Sequence, residues 1–410
     1  MTVSVKAPTS TTGSIQLNGS DVLTIDSSGN LTAPNNLTVT DDATINGLTV
    51  GKGSGNVATN TAIGKDALLD NTTGAENVAV GESALANNTT GQQNIAVGGA
   101  ALLTNTTGSY NTAIGKVALY ANTTGSNNTG LGYQTLYTNT TGAGNVSIGY
   151  RSLYSNTTSG LLTAIGNQAL YSNTTGVALV GVGFAALFSN TTGESSTAIG
   201  REALYSNTTG FYNTALGRQA LYSNITASDN TAVGYQASYD ITTGLRNTSI
   251  GVRAGRNLDT GSDNISIGYQ AYPNAFSASG QCTLGNTSIT NLRCNDTSIS
   301  SLSDARDKTN VVDIPLGLDF INKMRPVAFD WDRRDGSMAG RKDFGFIAQE
   351  LKTIQDETAY AEHLRLVHDE NPEKLEADPM KTYPVLIKAI QELSAKVDAL
   401  QTEINVLKGE

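Results

Sequence analysis

A glycine preceded by an aliphatic residue stands at Gly64, Gly81, Gly98 and onward at a spacing of 17 to Gly285, without an insertion or a deletion. A strict period of this length restricts the chain to a stack of like units, each touching only its neighbours. A second glycine series in phase with the first runs from Gly74 to Gly261 and is interrupted by Ser159 and Ala227. The unit, as in Asn111–Asn127, reads Asn-Thr-Ala-Ile-Gly-x-x-Ala-Leu-Tyr-x-Asn-Thr-Thr-Gly-x-x. Its two apolar clusters are too short for stable helices, and Gly and Asn tolerate the left-handed backbone of tight turns. Two strands and two turns per coil are therefore predicted, which makes residues 51–288 a parallel β-solenoid. Coils would stack at about 4.8 Å, each burying its Ile, Ala and Leu against its neighbours. So thin a coil encloses little core alone, so several copies of the chain are expected to pack around an axis with their aliphatic positions inward.

The repeat aligns side chains into columns. Aromatic rings recur at Tyr120, Tyr137, Tyr154, Tyr171, Phe188, Tyr205, Tyr222 and Tyr239, a ladder that stabilises the coils by stacking or, alternatively, a strip for sugars. Asparagines recur from Asn71 to Asn224 and are expected to hydrogen-bond along the stack. Asp66, Glu76, Glu82, Glu194, Glu202 and Asp229 fall at scattered coil positions, whereas a polysaccharide-cleaving site needs two carboxylates facing one groove.

Charge divides the chain near Ser303. Residues 303–410 carry 15 Lys and Arg and 21 Asp and Glu, whereas the first 302 carry 11 and 15. The net charge of −10, with no basic cluster in the repeats, argues against a nucleic-acid partner. No run of apolar residues is long enough to span a membrane, and the N-terminus has no basic region followed by an apolar run, which predicts synthesis in a cytoplasm. Cys282 and Cys294 then read as free thiols rather than a disulfide. Residues 1–50 contain strand-like runs such as Val22–Ile25 and Leu37–Thr40 and form an N-terminal β region, either an attachment end or a solenoid cap.

The aliphatic-Gly signature resembles the head repeats of trimeric autotransporter adhesins, and the Asn-Thr-Thr-Gly element resembles repeats of phage tail fibres. The resemblance implies a trimeric, mainly β rod. After a linker at 289–302 come Ser303-Asp304-Ala305-Arg306-Asp307-Lys308, Met324–Trp331 and Phe344–Leu351. Together these resemble the endosialidase-type intramolecular chaperone domain found at the C-termini of phage tail spikes and fibres. The family's Ser-Asp-x-Arg-x-Lys motif is satisfied at every fixed position. It implies an α/β chaperone domain over 303–385 that drives trimerisation, with Ser303 as nucleophile, Lys308 as general base and cleavage between Leu302 and Ser303.

A lysine accepts a serine proton when burial or a neighbouring cation disfavours its charge, and Arg306 with trimer packing could supply both. Asp307 pairing with Lys308 would oppose this. His363 and His368 are five apart and do not share a helix face, so they read as surface residues rather than metal ligands. Leu386, Ile390, Leu393, Val397, Leu400, Ile404 and Leu407 form a heptad seam, so 386–410 reads as a coiled coil.

The sequence thus predicts a receptor-binding tail fibre of a virion, assembled in the host cytoplasm. Its expected partners are two further copies of itself, phage tail or baseplate proteins, and a host surface glycan or other receptor, with no cofactor or metal. A bacterial surface adhesin and a polysaccharide depolymerase are the alternatives.

Overall fold

The computed structural model describes residues 13–17, 20–25, 31–32, 43–45, 48–289, 293, 303–333, 339–369, 371–373 and 375–409. Leu37–Thr40, Cys294, Leu302 and most of the 289–302 linker lie outside them. The chain forms two compact units, 1–162 and 163–410.

In the first unit, strand Gly13–Leu17 pairs antiparallel with Ser20–Ile25, which pairs antiparallel with Leu31–Thr32. Ala43–Ile45 and Leu48–Gly51 form another antiparallel pair, and Leu48–Gly51 also pairs antiparallel with the first coil strand, Thr61–Ile63. From there each coil contributes one parallel three-residue strand, in register at the 17-residue spacing: Thr112 lies against Thr129 and Thr129 against Val146. The second unit repeats this arrangement from Thr163–Ile165 to Cys282–Leu284.

Each coil holds one strand rather than the expected two. The cluster Ala118-Leu119-Tyr120 is a run of turns: Leu119 has φ 51°, its N–H reaches Thr135 of the next coil at 2.9 Å, and the Ala118 N–H folds back to Gly115 at 3.2 Å. Left-handed backbone at a leucine costs about 1–2 kcal/mol. Complete burial of its side chain, about 1.5–3 kcal/mol, offsets that cost.

The core of a coil lies inside a single chain. Ala113 and Leu119, and most of their equivalents along the repeat, are fully buried. The isoleucines that close several of the strands are not: Ile114, Ile165, Ile199 and Ile250 project from the outer face of the sheet and stay about 40% exposed. Within the single chain the Ile expected to be buried against neighbouring coils thus faces outward, because in a three-residue strand only the central side chain points inward.

Two asparagine ladders satisfy the turns. In the column read from the sequence, Nδ2 donates to the Oδ1 of the preceding coil, as from Asn105 to Asn88 and Asn122 to Asn105, both at 2.8 Å. The second column opens most repeats: Asn94 Oδ1 accepts the Asn111 backbone N–H at 3.0 Å, and Asn111 Nδ2 donates to the Gly125 carbonyl at 2.9 Å. Close stacking also explains the glycines. At Gly81, with φ 134°, a Cβ would lie 2.7 Å from the Gly98 carbonyl of the next coil.

The charged region of the second unit contains α1 (Leu318–Ile321), α2 (Ala348–Asp356), α3 (Ala361–Leu364) and α4 (Tyr383–Lys408). Strand Val327–Asp330 pairs antiparallel with Lys342–Gly345, and Val367–His368 with Glu376–Ala377. Phe320, Leu351, Leu364, Leu366, Val367 and Val385 form the core. Glu392 on α4 accepts the Leu318 N–H at 2.8 Å, satisfying a free donor at the start of α1. Beyond its first turns α4 leaves this core: the heptad positions Leu386 to Leu407 are 38–82% exposed.

Candidate functional site

The site implied by the sequence lies at the start of the charged region. Asp304 enters in extended conformation and caps a single 3-10 turn, Ala305–Asp307, by accepting the Arg306 backbone N–H at 2.9 Å. Lys308 leaves the turn with φ −121° and ψ 139°. This reversal brings the two flanking side chains together: Lys308 Nζ donates to Ser303 Oγ at 2.6 Å. They are five positions apart, and one turn assembles the pair within one chain. Along the same line a neutral amine would take the hydroxyl proton.

Arg306 is placed differently from its expected role beside Lys308. Its guanidinium is taken by Asp304, with Nε 3.0 Å from Oδ1 and Nη2 2.6 Å from Oδ2. Those hydrogen bonds hold the Asp304 carboxyl below the usual aspartate range and raise the proton affinity of Arg306. Among the described residues no ion pair joins Asp307 to Lys308. The Ser303–Lys308 contact is solvent-exposed in the single chain, so desolvation has to come from outside this turn. The other half of the predicted scissile bond, Leu302, is outside the described residues.

Residues 303–360 match a family model described as chaperone of endosialidase. The matched segment begins at Ser303 itself. Over this segment the C-terminal region is therefore similar to an endosialidase-type chaperone, and it follows the β-solenoid repeats. No curated protein matches the chain, and no solved structure does.

The other predicted positions are set by packing. Tyr120, Tyr137 and Tyr154 stack at 5.1 and 5.2 Å, and Tyr171, Phe188, Tyr205, Tyr222 and Tyr239 at 5.0–5.2 Å. Inner rings of each ladder have both faces covered by neighbours, leaving only edges for a sugar. Glu76 accepts a hydrogen bond from Gln93 at 2.9 Å, and Glu202 from Gln219 at 2.8 Å, both contacts between adjacent coils. His363 and His368 are exposed, and His363 lies 5.6 Å from Tyr360, ring to ring. Cys282 is a free, exposed thiol.

Sequence reading missed the Asp304–Arg306 clamp and the second asparagine column. The column was visible as the Asn that opens the repeat in most coils. The clamp required knowing that the chain turns between residues 304 and 308.

Proposed function

We propose that this chain is a trimeric tail-fibre protein of a virion that mediates attachment to a host cell, and that its C-terminal segment drives trimerisation and then cuts itself free between Leu302 and Ser303. The observation that carries the reading is the 2.6 Å contact of Lys308 with Ser303 at the first residue of the chaperone-like segment.

In the proposed reaction Ser303 Oγ attacks the Leu302 carbonyl carbon while Lys308 takes the hydroxyl proton. Collapse of the adduct breaks the Leu302–Ser303 C–N bond, and Lys308 returns the proton to the departing Ser303 nitrogen. Water then hydrolyses the resulting ester, releasing a Leu302 carboxylate. Partner chains would supply what an exposed turn lacks: exclusion of water, which disfavours charged lysine, and donors for the oxyanion.

Trimerisation is supported by apolar surface with no cover in one chain. Val311, Val312 and Phe344 are more than 70% exposed, and the α4 seam is open along its length. A seam of this pattern is buried when helices of other copies pack knobs into holes. Registering three chains at one end also solves the main assembly problem of a repeat, in which a slip of one coil costs little locally. Removal of the chaperone after assembly would leave a rod that unfolds only over a high kinetic barrier. Tail or baseplate proteins and a host glycan or other surface receptor complete the proposed set of partners.

Denaturing electrophoresis with intact mass on wild type, Ser303→Ala and Lys308→Ala tests the cut. A fragment beginning at Ser303 in wild type and absent from both variants is expected. An uncut wild type would refute self-cleavage and leave the segment a permanent clamp.

A further inference from the structure

The turn that brings Ser303 and Lys308 together is held by two side chains that take no part in the acyl transfer. A lone 3-10 turn is weak, because it fixes several backbone dihedrals for few hydrogen bonds. Here the backbone supplies two, Asp307 N–H to the Asp304 carbonyl at 3.1 Å and Lys308 N–H to the Ala305 carbonyl at 3.2 Å. Asp304 adds the rest: one carboxylate both caps the turn and grips the Arg306 guanidinium from two directions. A planar, bidentate pair of this kind restricts orientation as well as distance. Lys308 has a flexible stem, and its amine meets Ser303 only if the backbone on both sides of the turn is fixed.

We propose that Asp304 and Arg306 are positioning residues of the self-cleavage site, a clamp across the turn that holds the Lys308 amine against the Ser303 hydroxyl. The inference rests on the self-cleavage reading for its functional consequence. It assigns Arg306 a geometric role, since its charge is engaged by Asp304 rather than directed at Lys308.

The test follows appearance of the Ser303–Glu410 fragment from the full chain as a function of pH, for wild type, Asp304→Ala, Asp304→Asn, Arg306→Ala and Arg306→Lys. Misplacing a catalytic group by about 1 Å can cost 10²-fold, so Asp304→Ala and Arg306→Ala are expected to slow cleavage at least about tenfold. Asp304→Asn keeps an oxygen for the cap and should fall between. The pH at half-maximal rate should stay where it is in wild type. Unchanged rates would overturn the clamp, and so would an Arg306→Ala profile that shifts in pH while keeping its plateau, since that is the signature of a charge effect on the base.

A second readout does not depend on cleavage. Acetylation of Lys308 by an activated acetyl ester, followed by mass spectrometry, should be several-fold faster in Asp304→Ala than in wild type. An uncut wild type would refute self-cleavage alone, and the acetylation comparison would still decide the clamp: equal labelling sinks it.

Discussion

Replacing Asn122 by Ala tests whether the polar columns, rather than the leucines alone, hold the coils together. Asn122 Nδ2 donates to Asn105 Oδ1 at 2.8 Å and to the Gly125 carbonyl at 2.9 Å, while Asn139 Nδ2 donates to Asn122 at 3.0 Å. All three bonds are buried and all three vanish in the variant. Two neighbours keep another partner: the Gly125 carbonyl still accepts from Asn111, and Asn139 still donates to Gly142. Asn105 Oδ1 is left without one. Three net hydrogen bonds at about 1 kcal/mol each, and one orphaned buried acceptor at about 1–2, give an expected loss of about 4–5 kcal/mol. Thr124→Ala on the exposed turn should change stability by less than about 0.5 kcal/mol.

Native-state hydrogen exchange reads this locally, at the Thr106 and Thr123 amides that bond to the next coil. A fall in their opening free energy of less than about 1 kcal/mol would refute the reasoning, because it lies within the range of a single hydrogen bond. Asn122→Asp sharpens the test. The shape is kept, but an ionised carboxylate cannot donate to Asn105 or Gly125. Burial raises its folded pKa above the unfolded value, so stability should be present below the ordinary aspartate range and lost as pH rises through the folded value.

Two further outcomes concern the charged region. Ile390→Asp and Val397→Asp place carboxylates in the exposed α4 seam and should break the proposed trimer into monomers in sedimentation velocity; trimers that persist would show that the seam is not the contact. Hydrogen bonding to Arg325 holds the Glu350 carboxyl below the usual glutamate range. Because its folded value lies below the unfolded one, this contribution is present above the ordinary glutamate range and lost as pH falls through the depressed value. Glu350→Gln should flatten that part of the acid dependence of thermal unfolding, and an identical pH profile would count against the pair.

Repetition makes most of this protein legible in its sequence. A period without insertions aligns identical positions of successive coils, so the glycine, aromatic and asparagine columns were necessary consequences of stacking. The Ser303-to-Lys308 motif and the α4 seam were equally visible, because each depends on short-range spacing. Which side of each coil position faces inward was not legible. Alternation is unambiguous only along a strand of several residues, and here a three-residue strand is followed by turns in which leucine takes a left-handed backbone. Ile114 therefore faces out and Leu119 in, although both are large and aliphatic. The role of Arg306 was hidden for the same reason. Sequence places it two residues from both Asp304 and Lys308, and only the direction of the turn decides that its guanidinium goes to the carboxylate, leaving the lysine amine to the serine.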